Sequence, residues 1–123
     1  MKIGLVTPSW PGDRNPNGIA TTVAFLVEGL EALRHDVAVI PLYSEGEESD
    51  PRCVALPAPR PLKFSERVSR KLGWRESLPT IVAEQIVAAA QIAIRTHGIE
   101  VLVMEETNGW AGMVQRLLPI PVI

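Results

Sequence analysis

The chain opens with Lys2-Ile3-Gly4-Leu5-Val6-Thr7, an apolar run without polar alternation, as expected of a strand buried on both faces. Pro8 to Gly18 then carries three prolines, two glycines and two asparagines, a content that no regular element survives. From Ile19 the period changes. Ile19, Val23, Val27 and Leu30 recur at helical spacing, with Leu26 and Leu33 widening the stripe, which predicts a helix over 19–33 packed on a sheet. Asp36-Val37-Ala38-Val39-Ile40 predicts a second buried strand closed by Pro41, and Cys53-Val54-Ala55-Leu56 a weaker third, followed by prolines at 57, 59 and 61. A long helix is expected from about Pro79 to Thr96, with proline tolerated in its first turn and Gly98 as the left-handed stop. Ile99 to Met104 predicts a fourth strand and Trp110 to Leu118 a short helix ended by Pro119; Ile120 to Ile123 opens a fifth strand.

Strands alternating with helices imply parallel pairing through right-handed crossovers. The expectation is one doubly wound α/β domain over 1–123, Rossmann-like, with a mostly parallel five-stranded sheet in the order 3-2-1-4-5 and helices on both faces. In such sheets ligands sit at the carboxyl ends of the strands, where the winding reverses. That rule selects Thr7 to Gly18, after the first strand, and Glu105 to Gly109, after the fourth.

Composition narrows the classes. The chain has 123 residues, 46% apolar and 21% charged, with a net charge of −2; that is enough for one unstapled core and provides no global field for nucleic acid. Cys53 is the only cysteine, so no internal disulfide forms, and a reducing, cytoplasmic setting is expected. No signal peptide is legible, because Pro8 and Pro11 interrupt the first apolar run. Nothing approaches the roughly 20 apolar residues that cross a bilayer. Between Arg60 and Arg75, the bases Arg60, Lys63, Arg67, Arg70, Lys71 and Arg75 accompany one acid, Glu66, with Phe64, Val68, Leu72 and Trp74 interleaved. A short amphipathic helix there could make peripheral contact with anionic lipid or cover the cleft; the surrounding prolines favour a solvated connector.

The first selected loop ends in Asn17-Gly18 and runs into the helix at Ile19. A helix N-terminus suits a phosphate, and glycine lets one approach the backbone. The other reading is that Asn17 caps the helix and Gly18 turns the chain. No G-x-G-x-x-G or G-x-x-x-x-G-K-[ST] is present, which argues against a standard dinucleotide site or a P-loop. In the second loop, Glu105, Glu106, Thr107 and Asn108 could bind a polyhydroxylated ligand. Adjacent residues on a strand point to opposite faces, so binding is favoured over paired acid–base catalysis, and helix capping is the plainer alternative. His35 and His97 fall at the amino ends of strands, away from the cleft, and no histidine is placed to activate Thr7 or Ser9. Met104, Trp110 and Met113 read as packing residues.

These pieces align with a known pattern. Lys2 to Pro11 with Asn17-Gly18-Ile19-Ala20-Thr21, then His35-Asp36-Val37-Ala38-Val39-Ile40, then Ile99 to Glu106 with Gly109-Trp110, and finally Pro119 to Ile123, resemble the N-terminal domain of family 4 retaining glycosyltransferases, which are built from two Rossmann-like domains (the GT-B type). Residues 43–78 are unmatched, and Asn17 stands where the family has the first glycine of a pair. The resemblance implies transfer of a sugar from a nucleotide-sugar donor to a glycan or small-molecule acceptor with retained configuration, without a cofactor and usually without a metal. It implies that Asn17, Gly18 and Ile19 lie beside the donor diphosphate, and that Glu105, Glu106, Thr107 and Asn108 line the acceptor side. The chain stops before the family's histidine segment and its second domain, so this polypeptide is expected to transfer no sugar alone; no catalytic residue is assigned. A non-catalytic binding or assembly module of the same ancestry, self-associating through a cut sheet edge, is the alternative, and a flavodoxin-like nucleotide binder a third.

Overall fold

The computed structural model describes residues 1–10, 18–43, 50–72, 77–105 and 109–123. Among them the elements run β1 (Lys2–Thr7), α1 (Gly18–Ala32), β2 (Asp36–Pro41), α2 (Phe64–Lys71), α3 (Ser77–Thr96), β3 (Val101–Val103) and α4 (Trp110–Gln115). The fold is α/β around a small parallel sheet in the order β2-β1-β3. In register, Ile3 lies opposite Val37 on one side and Val101 on the other.

Side chains of a strand alternate between faces, and here each face has its own core. Val6, Ala38, Ile40 and Leu102 join Ala83, Ile86, Ala89, Ala90 and Ala93 of α3 and Trp110 and Val114 of α4. Alanines along α3 let that helix lie close to the strands. On the other face Ile3, Leu5, Val37 and Val39 pack with Val27 of α1 and with Trp10. Met104 and Trp110 are buried and Met113 packs against the same core.

Two helix ends are made differently. Gly98 adopts φ 69° after α3, the left-handed stop that its sequence position implied. α1 stops on a non-glycine: Arg34 has φ 64°, and His35 N–H donates to Leu30 O at 3.0 Å.

The expected five-stranded sheet is corrected to three strands. Segments 53–56 and 120–123 lie beside β2 and β3, but each makes a single parallel bridge, Val39 with Cys53 and Leu102 with Val122. Backbone chemistry limits both ladders, the second to three bonds: Leu102 N–H to Pro121 O at 2.9 Å, Ile123 N–H to Leu102 O at 2.8 Å and Met104 N–H to Ile123 O at 2.9 Å. Beyond Val39 the next donor on β2 would be Pro41, which has no N–H. In the other direction the N–H of Arg52 is taken by the Asp50 carboxylate at 2.9 Å. Pro121 likewise has no N–H to offer the strand preceding Leu102. β3 is also shorter than the apolar run 99–104: Ile99 is buried in the core but lies outside the ladder.

Among the described residues no helix is long and apolar enough to cross a membrane.

Candidate functional site

β1 and β3 are neighbours, yet their following segments leave on opposite faces of the sheet, α1 on one and α4 on the other. This divergence opens a crevice at the carboxyl ends of the strands. It has two adjoining parts. The larger, about 520 Å³, lies between the first turns of α1 and the end of β3, lined by Leu5, Val6, Gly18, Ile19, Thr22, Val23, Leu26, Val103, Met104 and Glu105. Its volume falls in the range of small-molecule sites. The smaller, about 120 Å³, lies on the α4 side against Thr7, Pro8, Leu42, Tyr43, Glu105 and Trp110. Val6, Met104 and Glu105 border both.

The walls are fixed by backbone bonds that carry the β1–β2 pairing into the loops. Leu42 N–H donates to Thr7 O at 2.9 Å and Tyr43 N–H to Pro8 O at 2.8 Å. The fully buried Thr7 hydroxyl donates to Ser9 O at 2.8 Å, so it serves the loop and is not poised as a nucleophile. Trp10 carries the chain back along the α1 face. Its indole N–H donates to Asp50 Oδ2 at 3.2 Å, and the Arg52 guanidinium lies 5.5 Å from its ring. Arg52 grips Asp50 at 2.7 Å and reaches Glu31 of α1 at 3.2 Å. The Arg52 side chain holds the Asp50 carboxyl down at about 2, with the Arg52 N–H and Trp10 contributing and burial opposing.

The structure therefore brings Gly18, Ile19 and Glu105 to one cleft. Asn17, Glu106, Thr107 and Asn108 lie outside the described residues. Gly18 opens α1, whose first turn carries no acid to oppose an anion, and the helix dipole favours negative charge there. A Cβ built on Gly18 meets no heavy atom of the described residues within 4 Å, so packing against them does not demand glycine. Glu105 is exposed and is the only carboxylate lining the cleft among the described residues. It can accept hydrogen bonds from hydroxyl groups, but no second acid or histidine among the described residues pairs with it there. Among the described residues no partner reaches the buried Trp110 Nε1 or Ser9 Oγ, and Trp110 borders the smaller cavity. Gly109, at φ 73°, precedes α4 as its N-cap residue.

The histidines are at the far end of the sheet. His35 precedes β2, with Nδ1 3.4 Å from the amino group of Met1, and His97 follows α3. Cys53, the sequence's single cysteine, is half-buried, and no group of metal-binding side chains occurs among the described residues.

Tyr43 and Thr22 line the cleft without a sequence signal for it, and Leu26, expected to pack on the sheet, lines it as well. For Tyr43 the topology alone would have sufficed: it follows β2 directly, and the carboxyl-end rule applies to that strand as well. No protein-family model matches the chain, and no curated protein matches it.

Proposed function

We propose that this chain is the acceptor-side and phosphate-facing part of a retaining glycosyltransferase acting on a nucleotide-sugar donor. The observation that carries the reading is the meeting of Gly18 and Ile19 at the start of α1 with Glu105 after β3, across one crevice at the sheet's reversal point. The order of the sequence motifs supplies the reaction class. Gly18 leaves room for a diphosphate to approach the helix N-terminus, while Glu105 meets acceptor hydroxyls.

The described cleft holds one carboxylate and lies open along α1, so by itself it positions rather than catalyses. Retaining transfer requires charge stabilisation from groups converging on the reacting atoms. Calorimetric titration with UDP, GDP and ADP tests the reading: one of them should bind, and Gly18→Ala should weaken that binding at least tenfold. No sugar transfer by the purified chain is expected from the corresponding sugar nucleotides. Absence of any diphosphate binding, or binding indifferent to Gly18→Ala, would refute the assignment.

The lack of a described acid–base pair in the cleft also suits a second reading, a non-catalytic α/β binding or assembly module. A chain that binds no nucleotide and self-associates in sedimentation velocity runs would favour it.

A further inference from the structure

Amphipathic helices of a folded domain normally turn their apolar side inward; α2 does the reverse. Phe64, Val68 and Leu72 recur every four residues and so share one side of the helix, yet they are 83%, 40% and 62% exposed. What faces the body is the polar side. Glu66 takes a two-pronged pair from Arg60, at 2.8 and 2.7 Å, and Arg60 in turn pairs with Glu84 of α3. Lys63 N–H closes back on Glu66 at 2.6 Å, the reciprocal half of an N-terminal capping arrangement. The helix's one acid is thereby neutralised and held inward, which fixes the apolar stripe outward. Lys63, Arg67 and Lys71 are exposed, and no described carboxylate forms an ion pair with them. At about 100° per residue, Lys71 and Arg67 stand roughly 20° and 60° from Phe64, beside the stripe.

This combination selects its occupant. A second copy of the same face would oppose three cations with three cations. A soluble polyanion would satisfy the cations and leave Phe64 and Leu72 in water. An anionic lipid surface receives both. We propose that α2 is an interfacial helix that docks the protein on an anionic bilayer, Phe64, Val68 and Leu72 entering the boundary between headgroups and acyl chains, with Lys63, Arg67 and Lys71 on the lipid phosphates. The inference rests on α2 alone and is independent of what the cleft binds.

Co-sedimentation of the whole chain with phosphatidylglycerol/phosphatidylcholine vesicles, against pure phosphatidylcholine vesicles, tests it. Binding to the anionic vesicles should be at least tenfold tighter and weaken with salt. Phe64→Ser/Leu72→Ser should lower it a further tenfold or more, whereas Lys63→Gln/Arg67→Gln/Lys71→Gln should remove the salt-dependent part, roughly fivefold per cation. All five side chains are exposed, so both variants should melt like the parent; circular dichroism checks this. Three results would overturn the proposal: no binding to anionic vesicles, vesicle binding unchanged in both variants, or a concentration-dependent dimer that Phe64→Ser/Leu72→Ser abolishes while vesicles go unbound.

Discussion

Gly4 sits at the junction on which the crevice depends, paired with Leu102 of β3. A Cβ added there would stand 2.7 Å from Ile99 Cδ1 and 3.0 Å from Leu102 Cδ1, against about 3.5–4.0 Å for comfortable carbon contacts. Ile99 must therefore retreat by roughly 1 Å, and it is buried, as is Leu102, so neither side chain can swing into solvent. Overpacking of this kind costs about 1–3 kcal/mol, offset by about 0.4–1 kcal/mol because alanine narrows the unfolded ensemble. Gly4→Ala should accordingly destabilise the fold by about 1–2 kcal/mol. Ile99→Val deletes the offending Cδ1 and should alone cost about 0.5–1.5 kcal/mol. In the double variant the new methyl occupies space that the old one vacated, so the two losses should fall short of additivity by about 1 kcal/mol. Urea unfolding followed by tryptophan fluorescence gives all three values, with Trp10 and Trp110 both buried reporters. Strict additivity, or a neutral Gly4→Ala, would refute the claim that Gly4 exists to let Ile99 and Leu102 close over β1.

Three further outcomes follow from the geometry. Gly18→Ala meets no described atom and improves helix propensity, so thermal melts should rise by about 2–5 °C even as diphosphate affinity falls; a lower melting temperature would show that glycine is needed there for the fold itself. Arg34→Gly should stabilise by about 0.5–1 kcal/mol, since a side chain at φ 64° is strained where glycine is not, and a destabilised variant in urea titration would contradict this. The Asp50 carboxyl titrates near 2 in the fold, below its ordinary range. Its contribution to stability is thus fully present above about pH 4 and is lost as pH falls from about 4 toward 2. Asp50→Asn should flatten that part of the acid unfolding profile, and an unchanged profile would count against the Asp50–Arg52 clasp.

Long-period signals were the most legible in this sequence. The stripe from Ile19 to Leu33 and the capped run from Pro79 to Gly98 correspond to α1 and α3, although of the first stripe only Val23, Val27 and Leu30 pack inward, while Ile19, Leu26 and Leu33 are exposed. The paired strands were legible as apolar runs, but apolarity reports burial and not hydrogen bonding: Ile99 is in the core and outside the ladder. Sheet width was misread because two prolines, Pro41 and Pro121, withhold donors where the outer ladders would extend. The crevice followed from winding alone, without any motif. What could not be read from linear order was the orientation of α2, since its stripe looks identical whether it faces a core or water. Only the Arg60 link from Glu66 to Glu84, between positions 18 residues apart, settles which side is out.

β1 lies at the centre of the sheet but comes first in the chain, and its partner on one side, β3, follows almost one hundred residues later. Ile3 waits for Val101, while its pairing with Val37 needs only the intervening helix. At about 5–20 residues per second of synthesis, one edge of β1 stays unpaired for roughly 3–13 s after the other could close. β1-α1-β2 is therefore the natural first unit of folding, and completion of the crevice the last act, gated by the arrival of β3. Pulsed hydrogen exchange during refolding should show β2 amides protected ahead of those in β3; simultaneous protection would deny this order.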